Sequence, residues 1–286
     1  MGFLGLGNYA KPGKGVSKNE PEKKRFFLFF ELWFRKFWKI IQVNLLYSLF
    51  FVPLVMSVVL FFAWGIESTF GTIVSVVACV VSSAIVGIAT AGVTYILRSY
   101  SQQKHSFLLS DFFDTIKGNW KQASVTGVLL SILLSTLFFS GQFYFNESSS
   151  SVFYLVLFGL TALFGILLLF ASYYVYLLIV TVDLKLPALY KNAFLLGILG
   201  LKTNLITTFF VALIVIPTVL FFPLSIVVFV VIIPALVQFI LCFNSYQYIQ
   251  KYCIDPFYAQ NADQQPLESV DQPVFSDDIL NDRPER

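Results

Sequence analysis

Six stretches of the chain are almost purely apolar, and polar residues return only between them. They cover 40–64, 70–97, 123–145, 152–181, 203–222 and 224–246. Each reaches the ~20 residues that a helix needs to cross a hydrocarbon core of about 30 Å. Lipid offers the backbone no hydrogen-bond partner, so a crossing segment must be a helix or part of a closed barrel. The short alternating segments of a barrel are absent. Short linkers pair the stretches into hairpins: 65–69, the NESSSS segment at 146–151, and the corner at Phe221, Phe222 and Pro223. Pro217 and Pro223 interrupt what would otherwise read as one continuous helix through the last two stretches. The first stretch starts too far along the chain and is too long to be expected as a cleaved leader.

The predicted fold is therefore an all-α integral membrane protein with six transmembrane helices in three hairpins. Composition agrees. Hydrophobic residues make up 57% of the chain and charged residues 12%, with a mean hydropathy of +0.78. A soluble domain carries about 25% charge. The distribution of charge orients the hairpins. All 19 Lys and Arg lie before the first stretch, between the second and third, between the fourth and fifth, or after the sixth. The opposite linkers hold only Glu67 and Glu147. Basic residues stay on the cytoplasmic side, so both termini are expected there.

Short amphipathic segments precede stretches one, three and five, and are expected to form cytoplasmic elbow helices at the headgroup boundary. In 26–39, Phe26, Phe30, Trp33 and Phe37 share one helical face, with Arg25, Glu31, Arg35, Lys36 and Lys39 away from it. In 109–121 the face is Leu109, Phe112, Phe113, Ile116 and Trp120, with Ser110 as the expected N-cap and Asp111 and Asp114 in the first turn. The third begins at Pro187 and runs through Leu189, Ala193 and Leu196 to Gly197. Lys39, Lys121 and Lys202 precede the three hairpins at intervals of about 82 residues, which suggests three repeats. The domain reading is a basic flexible cytoplasmic arm at 1–25, a six-helix membrane domain at 26–258, and an acidic disordered cytoplasmic tail at 259–286.

The six stretches contain no Asp, Glu, Lys, Arg or His. Ion-coupled transporters usually hold an ionisable group at the membrane midplane, so coupled transport is disfavoured. The candidate intramembrane polar residues are Asn44, Thr90, Gln142, Gln238 and Asn244, with Gln42, Ser82, Ser83 and Thr94 beside them. Such groups join helices more often than they bind a solute. Small residues Ala84, Gly87, Ala91, Gly92, Gly159 and Gly165 fit close helix contact. His105 is the only histidine, and Cys79, Cys242 and Cys253 form no metal-spaced pair, so no catalytic site, metal or cofactor is expected. The weak matches to nucleotide-binding loops at 5–10 and 13–15 lack a preceding strand and the P-loop spacing.

One resemblance covers about residues 8–258. Asn8 to Lys18, then Glu20-Pro21, Phe34 to Lys39 and Asn44-Leu45-Leu46 resemble the bacterial YesL-like membrane proteins. So do Ala89-Thr90-Ala91-Gly92, Tyr95, Arg98, the Phe112-Phe113 to Trp120-Lys121-Gln122 segment and Asn192 to Leu196. The resemblance implies a bacterial cytoplasmic membrane protein of a family without assigned chemistry, often encoded beside carbohydrate ABC transporters. Components of such transporters are thus the implied protein partners, along with membrane lipid; no nucleic-acid partner is expected. The segment Lys191 to Gly197 departs from the ATPase-docking pattern of importer permeases, with Lys where Glu belongs. The expected function is a non-enzymatic accessory or scaffold protein linked to carbohydrate uptake. Asp114, Lys117, Trp120 and Asn192 are its candidate docking residues. The alternative is an uncoupled transporter or channel for a small neutral solute.

Overall fold

A computed structural model describes residues 24–262, and every regular element among them is helical. The nucleotide-loop matches, the arm before residue 24 and the tail beyond 262 lie outside the described residues. α1 (Arg25–Leu60) continues through a π-helical turn, Phe61–Gly65. α2 (Thr69–Ser101), α3 (Leu108–Asn146) and α4 (Val152–Ile179) follow. Then come α5 (Leu186–Leu199), α6 (Leu201–Leu220), α7 (Ile226–Val231), α8 (Ile233–Ile249) and α9 (Asp255–Ala262). Among the described residues, five helical segments are long and apolar enough to cross a membrane: Arg25–Gly65, Thr69–Ser101, Leu108–Ser149, Val152–Ile179 and Leu201–Leu220.

The sixth apolar stretch is a broken helix. α7 has 6 residues and α8 has 17, with Ile232 between them at φ −144° and Pro234 in the first turn of α8. Proline supplies no N–H and fits only the start of a helix, so the chain restarts there. The first two elbow segments are not separate helices. They form the leading turns of α1 and α3, because no residue at either junction ends a helix. The third is separate: α5 stops at Gly200, and α6 restarts from the same residue. α9 extends helix to Ala262, a few residues into the segment expected as tail.

Capping settles the tight turns. The Ser68 hydroxyl accepts the Gly71 N–H at 2.9 Å, and Ser151 accepts that of Phe153 at 3.2 Å. The N-cap of α3 is Phe107, not Ser110. Asp111 reaches back to accept the Phe107 N–H at 2.9 Å and the Ser106 hydroxyl at 2.7 Å, while Ser110 turns to Asp114.

Burial is concentrated at one end of the bundle. Leu32, Ile40, Val43, Ile96, Leu97, Tyr100, Phe112, Tyr174, Leu177, Leu178, Leu189 and Phe239 form a closed core there. Phe112, expected on a headgroup-facing surface, is fully buried below Gly92 and against Phe50. The α5 face of Leu189, Ala193 and Leu196 is likewise buried, with Gly197 set against Phe170 and Ala171. The other end is open. α4 buries nothing before Phe170, and Leu133, Phe138, Phe139, Leu155, Leu163 and Phe164 are exposed. So large an apolar surface needs a non-aqueous cover.

Candidate functional site

Threonines in a helix donate to the carbonyl one turn back and keep an oxygen lone pair to accept. Thr90 and Thr94 do so on one face of α2, donating to the Val86 and Thr90 carbonyls at 2.7 and 2.6 Å. With its proton used, Thr90 accepts from the Tyr47 hydroxyl of α1 at 2.7 Å. Thr94 accepts from the Gln238 amide of α8 at 2.7 Å, and the Cys242 thiol lies 3.8 Å from its carbonyl oxygen. Gln238 and Cys242 sit four residues apart, so both face α2. This is a polar seam through α1, α2 and α8.

Asn44 extends the seam to the broken helix. Its Oδ1 accepts the Ala235 N–H at 2.7 Å, in the first turn of α8. Its Nδ2 donates to the Val230 and Phe229 carbonyls at 2.7 and 3.1 Å, at the end of α7. Ser48 adds a bond to the Val230 carbonyl at 3.0 Å. Helix ends leave such backbone groups without intrahelical partners. One fully buried amide therefore acts as cap to both halves of the break.

A second junction joins α4, α5 and α6. The Tyr174 hydroxyl donates to Asn204 Oδ1 at 2.9 Å, and Asn204 Nδ2 donates to the Gly197 carbonyl at 2.9 Å. Tyr173 with Thr208 and Thr203 with Tyr248, each at 2.8 Å, flank it. Sequence reasoning missed Asn204, although an amide inside an apolar stretch is itself the signal. Two arginines tie helix ends. Arg98 donates to the Val180 carbonyl and the Thr181 hydroxyl, both at 2.8 Å, at the C-terminus of α4, and stacks on Tyr95. Arg25 donates to the Phe243 carbonyl at 2.8 Å and lies over its ring.

The structure brings together Asn44, Thr90 and Gln238 of the expected polar set. It separates the other two. Gln142 is exposed on α3, lining a crevice with Phe158 and Thr161 of α4. Asn244 lines an apolar groove between α1, α6 and α8. Gly159 and Gly165 make no close approach, since a Cβ on either would meet nothing within 4 Å; Gly159 is exposed, and Gly165 lines the open crevice between α3 and α4.

Among the docking candidates, Asp114 and Lys117 pair at 3.9 Å in full view of solvent, and Trp120 is exposed beside Lys121. Gln122 donates to the Leu184 carbonyl at 3.0 Å, and Thr126 meets Tyr190 at 2.9 Å. These bonds set residues 118–122 against the α4–α5 turn and leave a mostly polar cleft of about 560 Å³ that includes Trp120, Lys121, Thr181 and Asp183. Asn192 is half-buried on α5 and outside that cleft. His105 is exposed against Phe107, and no cluster able to hold a metal occurs among the described residues.

No family model, curated protein or solved structure matches the chain.

Proposed function

We propose that the chain is a six-crossing protein of the bacterial cytoplasmic membrane, with both termini inside, that acts as a non-enzymatic scaffold. α7 and α8 together supply the sixth crossing. α1 and α3 exceed the ~20 residues of a hydrocarbon core. Their leading turns, where the lysines and tryptophans gather, then stand at the cytoplasmic boundary.

The observation that carries the scaffold reading is the use made of the buried polar groups. Asn44, Thr90 and Gln238 are spent on one another's helices and on backbone. In lipid, apolar surface does not drive helices together, so such bonds and close packing hold the bundle. A solute path would need those groups turned to a shared opening, and Gln142 stands on a different face. The polar cleft beside Trp120 and Asp183 is the docking surface of this reading. By resemblance, its partner is a subunit of a carbohydrate ABC transporter.

A photo-crosslinking residue in place of Trp120 or Asp114, in cells, tests it. Adducts identified as subunits of a carbohydrate importer support the proposal. Adducts to lipid alone overturn it.

A further inference from the structure

The groove holding Asn244 is built unlike the other surfaces. It measures about 410 Å³, and its walls include Phe29, Trp33, Ile206, Leu213, Ile214 and Leu236. That is within the ~300–1,000 Å³ of small-ligand sites. Its polarity is graded. Thr203 pairs with Tyr248, so α6 and α8 run antiparallel, and Ile206 lies at the Asn244 end while Ile214 lies at the Leu236 end. Arg25 is held to the Phe243 carbonyl and so sits at the Asn244 end as well. Eight residues of α6 make the groove about 12 Å long at 1.5 Å per residue. One end carries a guanidinium and an amide, and the other is wholly hydrocarbon.

Those polar groups have capacity left. Among the described residues, Arg25 spends one of its five N–H donors, on the Phe243 carbonyl. Among the described residues the Asn244 side chain makes no hydrogen bond, and the buried Trp33 indole N–H has no partner. A guanidinium fork matches a phosphate. A neutral sugar would meet mostly ring and methyl groups, and a free phosphate would leave the groove empty.

We propose that this groove binds one anionic phospholipid, its acyl chain along α6 and α8 and its phosphate at Arg25. The site rests on the membrane reading above. It places a lipid between the start of α1, α6 and the last crossing.

The full chain, purified in neutral detergent, is offered phosphatidylglycerol or phosphatidylcholine, and retained lipid is counted by native mass spectrometry. The expected result is one phosphatidylglycerol per chain, with a preference of about tenfold, or ~1.4 kcal/mol. Arg25→Gln removes the preference, and Arg25→Lys, which keeps the charge but not the fork, keeps only part of it. Leu213→Trp or Ile206→Trp, each on an exposed part of the wall, removes both lipids. Millimolar inorganic phosphate displaces nothing. Equal retention of the two lipids, displacement by phosphate, or wild-type retention by both tryptophan variants overturns the proposal. Increased lipid retention on deleting 263–286 gives the groove to that segment instead, and also overturns it. A chain released from membranes by alkaline carbonate fails the membrane reading itself. A chain that stays membrane-bound and shows no lipid preference fails only this site.

Discussion

Gly87 of α2 and Gly127 of α3 lie backbone to backbone. A Cβ on Gly87 would come 2.7 Å from the Gly127 Cα, and one on Gly127 would come 2.8 Å from the Gly87 Cα. No real Cβ tolerates that approach, and the obstacle is helix backbone, which cannot swing aside. This contact sets the spacing of the α2–α3 pair, on which the buried end of the bundle rests.

Gly127→Leu is expected to destabilise the protein by more than Gly127→Ala, with overpacking of about 1–3 kcal/mol for the first substitution beyond alanine. Gly159→Ala, in open space, should be neutral or slightly stabilising, as alanine is the better helix former. Detergent-titrated unfolding followed by circular dichroism ranks the three.

Asn44→Ala leaves the Ala235 N–H without the side chain that caps it, and leaves the Val230 carbonyl with Ser48 alone. Loss of a buried bond of this kind is worth about 1–3 kcal/mol. Hydrogen exchange should rise first at 229–236, ahead of global unfolding. Asn44→Asp keeps the acceptor for Ala235, loses both donors and adds a charge in a stretch that has none, so it should be the worse variant.

Arg98→Leu removes two bonds from the C-terminus of α4. Limited proteolysis at 180–186 should become faster, while the Asn44 and Gly127 regions keep their exchange protection. Equal loosening throughout would mean that Arg98 supports the whole core rather than one helix end.

Asp114→Asn should leave stability within about 0.5 kcal/mol, since the Asp114–Lys117 pair is an exposed i,i+3 contact. A change in crosslinking to a partner, with unchanged unfolding, would then report docking alone.

Burial pushes the Cys253 thiol up. A raised value means less thiolate near pH 8, so its alkylation should lag behind an exposed cysteine placed at Lys104 and keep rising as pH climbs past the ordinary thiol value of about 8.5. Unfolding should make the two rates converge. An impermeant maleimide applied to intact cells should label Glu67→Cys and miss Lys104→Cys; the reverse pattern would invert the proposed orientation.

The hydrophobic pattern was enough to place the five long apolar helices, because length and the solvation of backbone are local properties, but it did not show the break inside the sixth stretch. It also pointed to Gly87 and Asn44, as a small residue and an amide inside apolar sequence stand out unaided. It did not reveal that Asn44 serves the break at Ile232, since that bond spans almost two hundred positions of chain. Nor did it separate buried from exposed on the elbow faces. Phe112 and Phe113 are alike by composition, and only the position of Gly92 puts the first ring in the core. Gln142 and Gln238 were equivalent in sequence, yet among the described residues only the second meets a hydrogen-bond partner, Thr94 on α2. Chemistry at a residue can be read from its neighbours in the chain; which groups satisfy one another depends on how the helices pack, and packing is settled by contacts between residues far apart in sequence.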